Sequence, residues 1–143
     1  MSATTILQQY FLDNFNPSYL QVNGQDVYQI GNIPFDPPVK ETWMRLQVEI
    51  FRNSMQGLQG ETKWIKESGM VILEVFTPIL RAASGTQTVR HKEALFNEFK
   101  RLFEYKEVQG VELMSAEFDS RPYSENYEQH NIKIYFHHNR EQL

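Results

Sequence analysis

At 143 residues, 41% of them hydrophobic and 13% aromatic, the chain is long enough for one buried core and too apolar for a disordered segment. The absence of cysteine excludes a disulfide framework and thiolate chemistry, and fits a reducing compartment. A net charge of −4 argues against a general nucleic-acid binder, whose affinity comes from neutralising phosphates, although a lumen through which DNA only slides carries no such requirement. The first residues lack the basic start and continuous apolar run of a signal peptide, and no stretch approaches a membrane span.

Ser2 is placed to cap a helix over Ala3 to Asn14, with Ile6, Leu7, Tyr10, Phe11 and Phe15 on one face and Gln8, Gln9 and Asp13 outside. Asn16-Pro17 stops it. Its outer face has none of the lysines and arginines of a membrane-binding helix, so it is expected to pack on a sheet. Tyr19 to Ile30 is short and mixed. Asn23-Gly24 marks a turn there, giving either a small hairpin or one strand entered through a turn.

The stretch Gly31-Asn32-Ile33-Pro34-Phe35-Asp36-Pro37-Pro38 follows. Each proline fixes φ, lacks an N–H and pushes the residue before it towards extended geometry. The result is a stiff ramp that carries one large apolar group, Phe35, into a strand. From Trp43, residues Met44, Leu46, Val48 and Ile50 alternate with Arg45, Gln47 and Glu49, so this strand has one buried and one wet face.

Residues 53–62 are polar with Gly57 and Gly60, and predict a long exposed hairpin loop. The partner strand runs from about Lys63 to Thr77, almost continuously apolar from Met70 to Phe76, as expected of a central strand. Gly69 within it predicts a bulge or a close backbone contact, and Pro78 ends it. A hairpin of this length is expected to protrude beyond the domain.

Residues 81–88 are small and polar, with Gly85 a hinge or turn. A helix over about Val89 to Tyr105, capped by Thr86 or Thr88, buries Leu95, Phe96, Phe99, Leu102 and Phe103. Gln109-Gly110 turns the chain into a strand from Val111 to Phe118. A polar loop at 119–126 leads to the last strand, Tyr127 to Phe136, and residues 137–143 read as a frayed tail. The whole is a single α+β domain: a mainly antiparallel sheet of four to five strands, two helices on one face, and a long protruding β-hairpin.

Chemistry is sparse. His91, His130, His137 and His138 show no metal-ligand spacing, and the adjacent pair would point to opposite faces of a continuing strand. No glycine-rich phosphate loop, nucleophile elbow or H-E-x-x-H occurs. Glu74 lies inside an apolar strand, where a partner such as Arg45 on the neighbouring strand is expected. Trp43 and Trp64 stand at outer strand ends, as core residues or as anchors of a subunit contact. No catalytic residue, metal or cofactor is assigned.

Taken in order, the pieces resemble a family. Asn32-x-Pro34-Phe35-x-Pro37-Pro38 leads into the alternating strand, and a Gly69-led apolar strand ends in Pro78. The Gly85 segment and an amphipathic helix follow, then Gly110-Val111 and a closing Tyr127…Ile132-x-Ile134-x-Phe136. This is similar to the tail terminator (minor tail protein) family of long-tailed bacteriophages, lambda-type, over Ile6 to Phe136, with the ramp the most specific part. The chain departs from the family pattern at Ile30 and Gly31, where an aromatic residue often stands, and at 81–84, which reads as a small insertion.

The resemblance implies a virion structural protein without enzymatic activity, made in the host cytoplasm and residing at the head–tail junction. Such proteins form a ring, usually hexameric, on the last ring of the tail tube. They end tube polymerisation and offer a surface to the head's connector protein, with DNA passing through the hole. Its partners would be copies of itself, the major tail tube protein and a connector protein, with no membrane. Asn32, Pro34, Phe35, Pro37 and Pro38 then hold subunit geometry, Phe35 as a packed anchor. Trp43, Gln56, Gly57, Gln59, Gly60, Trp64, Arg81, Gly85, Asp119, Arg121 and Tyr123 are candidate subunit or tube contacts. Alternatives are a head–tail connector or neck completion protein of the same fold, a small metal-dependent hydrolase built on His130, and a host-directed interaction module.

Overall fold

The computed structural model describes residues 1–22, 24–37, 41–59, 62–78, 85–121 and 127–142. Helix α1 spans Ala3–Asn14, and the Ser2 hydroxyl at its start accepts the Thr5 N–H at 3.3 Å. It ends where Phe15 turns extended, and Asn16 then caps a 3-10 turn at Pro17–Tyr19 by accepting the Ser18 N–H. Both alternatives left open for the next segment occur. Strands β1 (Gln21–Val22) and β2 (Gln25–Asp26) make a small hairpin with Gly24 at φ 79, and β3 (Tyr28–Ile30) is a separate strand.

Two strands of 17 residues follow, β4 (Trp43–Gln59) and β5 (Thr62–Pro78), then helix α2 (Gly85–Phe103), β6 (Glu107–Val108), β7 (Val111–Arg121) and β8 (Tyr127–Gln142). The main sheet has the order β3-β4-β5-β8-β7-β6. Only β3 is parallel to its neighbour. The architecture is α+β, with six strands in place of the expected four to five. The sixth, β6, is too short to leave a hydrophobic period in the sequence.

Four boundaries differ from expectation, the shortest at 119–121, expected to open a polar loop but held in β7 by its pairing with β8. Residues 53–59 continue β4 and Thr62 already belongs to β5, so the long loop is strand joined through 60–61. The segment is polar because strands that project past the core have no buried face to fill. Another difference is at 137–142, expected to fray: β8 stays paired with β5 from Tyr127 through Gln142. Finally, α2 starts at Gly85, so this glycine opens the helix rather than hinging a loop, and Tyr105 lies beyond its end at φ 55.

One sheet face carries Met44, Leu46, Val71, Leu73, Val75, Ile132, Ile134, Phe136 and Leu113, all buried with Ile6, Leu7 and Phe11 of α1, Phe15 just after it, and Leu95, Phe96, Phe99 and Phe103 of α2. Each such side chain contributes about 2 kcal/mol by leaving water. The helices touch through Tyr10, whose ring meets Phe103 edge-on and whose hydroxyl donates to the Leu102 carbonyl at 3.0 Å.

Gly69 explains how β4 and β5 stay together where the face curves. Phe51 is an extra residue in β4 between the pairs Ile50–Gly69 and Arg52–Ser68. A Cβ on Gly69 would collide with the Glu49 carbonyl and come within 2.9 Å of the Phe136 ring. The expected bulge and the expected close contact are both present.

Lengths settle what projects. Seventeen strand residues span about 55 Å, whereas the 12-residue α1 and 19-residue α2 span about 18 and 28 Å. Helix α1 begins where the Ala3 N–H meets Glu67 Oε1 at 3.4 Å. Beyond that point β4, β5 and β8 continue together as a three-stranded arm.

Candidate functional site

The ramp leaves the sheet under main-chain control. The Gly31 N–H donates to the Leu46 carbonyl at 2.8 Å, Ile33 N–H to the Ile30 carbonyl at 3.2 Å, and the Gln29 side chain to the Ile33 carbonyl at 2.8 Å. Asn32, Pro34 and Pro37 are exposed, and Phe35 is half-buried. Pro38 lies outside the described residues. Phe35 packs on Trp43 with ring centroids 5.4 Å apart, and Trp43 stacks flat on Phe76 at 4.1 Å.

This stack lies on the sheet face away from the helices and continues into a polar row. The Arg45 guanidinium sits 5.6 Å over Phe76 and grips Glu74 at both carboxylate oxygens, at 3.2 and 2.6 Å. Gln129 donates to the same carboxylate at 2.8 Å and to Asn131 at 3.1 Å. Glu74 is buried yet fully engaged, by the partner expected from sequence. Ramp, stack and polar row thus form one rigid block at the end of the sheet where β3 joins β4.

The candidate contacts separate into groups. Trp43 is inside the stack at 9% exposure, whereas Trp64, on the arm, is 38% exposed. Gln56, Gly57 and Gln59 fall in the arm portion of β4, with a second irregularity between Met55 and Gly57. Asp119 and Arg121 belong to β7 at the ramp end of the sheet, and Asp119 lies in the same row as Arg45, through Glu74 and Asn131. Gly85 opens α2. Gly60, Arg81 and Tyr123 lie outside the described residues.

Two exposed aromatic residues stand outside the candidate set. Phe51, 53% exposed, meets Tyr135 at 6.1 Å on the helix-free face. The signal was an aromatic residue at a wet-face position of β4, after Arg45, Gln47 and Glu49. Phe118, 60% exposed, sits under the Lys100 ammonium and against Phe96.

The histidines are all engaged where described. His137 shares a hydrogen bond with Ser68 at 3.0 Å, and His138, on the opposite face, contacts Glu67 at 3.1 Å beneath the start of α1. His130 lies 3.5 Å from Glu128. Among the described residues no three His, Asp or Glu gather as a metal site. None of the described helices is long and apolar enough to cross a membrane.

A third buried carboxylate, after Glu74 and Glu67, ties α2 to the turn after α1. Glu98 accepts the Asn16 N–H at 2.8 Å and the Arg101 Nε–H at 2.5 Å. The bond from Arg101 holds its pKa below the usual carboxylate range, with the Asn16 N–H adding to this against the opposing effect of burial. The Tyr127 hydroxyl is pushed up by burial. No known protein-family profile matches the chain, and no curated protein sequence matches it.

Proposed function

We propose that the chain is a virion structural protein of the tail-terminator kind. Copies close into a ring, six being the number the family resemblance implies, on the end of a tail tube. The ring stops polymerisation of the tube protein and offers its far side to a head connector protein, while DNA passes through the hole.

The observation that carries this reading is the rigid block at the ramp. A ring built from one chain uses heterologous contacts that close after a fixed rotation, and a small angular error in each subunit accumulates around it. A ramp locked by prolines, pinned to Leu46 and stacked through Phe35 on Trp43 and Phe76 limits that error. The three-stranded arm supports the same reading, because a surface that projects past the core is free to engage the tube. The resemblance in the order of ramp, long hairpin, Gly69 and closing strand supplies the specific assignment.

Deleting the gene from a particle-producing genome tests termination. The expected result is overlong tail tubes without heads. Tubes of normal length would overturn the assignment, and normal-length headless tails carrying the protein on the head side would favour a connector of the same fold.

A further inference from the structure

The long strands nearest the two sheet edges are only partly covered. β3 pairs with β4 at 44–46, and β6 pairs with β7 at Val111 and Glu112. Among the described residues, no strand lies beside 47–59 of β4 or 117–121 of β7 on the outward side. Met44 donates outward to the Val27 carbonyl and the Leu46 carbonyl accepts from Gly31. By strand alternation Val48 and Ile50 continue that row of outward groups, which is a template for another strand.

We infer that the free edge of β4 takes the free edge of β7 from a second copy of this chain. The contact rests on the ring reading and names the surface by which it closes. Direction favours it. β4, β5, β8 and β7 alternate antiparallel, so β4 and β7 run opposite ways, and copies joined head to tail continue the alternation.

Charge and the bulge favour it together. The extra residue Phe51 puts Glu49 and Arg52 on the same, helix-free face although they are three positions apart. Asp119 lies on that face, level with Arg45 through Glu74 and Asn131. A register with Arg52 opposite Asp119 and Glu49 opposite Arg121 therefore sets Ile50 and Phe51 against the single residue Ser120, as a bulge requires. The cross-strand pair Arg52–Asp119 is then opposite in charge. If β4 met its own copy about a two-fold axis with Glu49 opposite Arg52, two bulges would face each other and neither would find its single partner.

The register also sets the shape. Within one copy Arg52 lies level with Glu112, through Ser68 and His137. Joining it to Asp119 of the next copy offsets the copies by the distance from His137 to Asn131 on β8, about 20 Å along the strands. A flat ring then has strands inclined to its axis, as in closed barrels.

Because the chain has no cysteine, introduced ones report without background. Ser54 and Glu117 stand opposite in this register, at a Cα separation of about 5 Å that a disulfide can bridge. Oxidising a concentrated mixture of S54C and E117C variants should give a linked dimer that neither gives alone. The double variant should give a ladder ending at a closed ring. A ring by native mass without the mixed crosslink would overturn the edge contact and leave the ring standing. S54C dimerising without E117C would overturn the contact in favour of a two-fold pairing of β4 in which position 54 meets its own copy. Monomer throughout, both alone and with the major tail tube protein added, would overturn contact and ring together.

Discussion

Replacing Gly69 with alanine adds one methyl group at the place where the sheet has least room. The new Cβ meets the Glu49 carbonyl first and the Phe136 ring second. A ring can turn aside, but a main-chain carbonyl in a ladder cannot move without opening the bonds beside the Phe51 bulge. Gly69 does not occupy the left-handed region, so the whole penalty is steric. Overpacking of this kind costs about 3 kcal/mol, a large part of a total stability of about 5–15 kcal/mol. In a chain of this length it should lower Tm by about 10 °C. Urea unfolding of Gly69→Ala, alone and with Phe136→Leu, measures it. Because the nearer obstacle is backbone, Phe136→Leu should give no rescue. A Gly69→Ala variant within about 0.5 kcal/mol of the parent, or one restored by Phe136→Leu, would refute the steric account.

Tyr105 holds φ 55 just after α2 while 74% exposed, so Tyr105→Gly should stabilise by about 1 kcal/mol in thermal unfolding. Glu74→Ala strands a partly exposed Arg45 and should cost about 1–2 kcal/mol, discounted for the solvent that Arg45 still sees. Replacing both partners by apolar residues (Arg45→Met with Glu74→Leu) should cost less than Glu74→Ala alone, and equal costs would contradict the pairing. Glu98 has a folded-state pKa below its ordinary 4.5, so it stabilises above that value and the contribution disappears as pH falls through the lowered one. The stability gap between parent and Glu98→Gln should be constant near neutrality and shrink on acidification below the ordinary glutamate range. A gap that widens there would be the wrong sign.

What the sequence disclosed depended on whether a residue's environment left a local trace. Met44 to Ile50 could be read because one face of β4 is buried and the other wet, and Gly69 because a glycine inside an apolar strand needs a reason. Residues 53–59 could not be read: in the arm neither side of the strand is forced to be apolar, so polar strand and polar loop look alike. The same holds for 137–142, whose pairing with β5 is a long-range fact. β6 is held by main-chain bonds to β7, which any side chain permits. Trp43 suited the core better than a contact but left both open, and only the stack with Phe35 and Phe76 shows it inside. Glu74 and Arg45 were legible as a pair because a carboxylate in an apolar run demands a cation. Glu67 gave no such hint, since its role beneath α1 depends on where Ala3 and His138 arrive.

Native mass measurement of the concentrated protein, alone and mixed with the major tail tube protein of its own particle, tests the ring most directly. The account predicts a closed species of several copies, six by the family resemblance, in at least one of the two settings. Persistent monomer in both would contradict it.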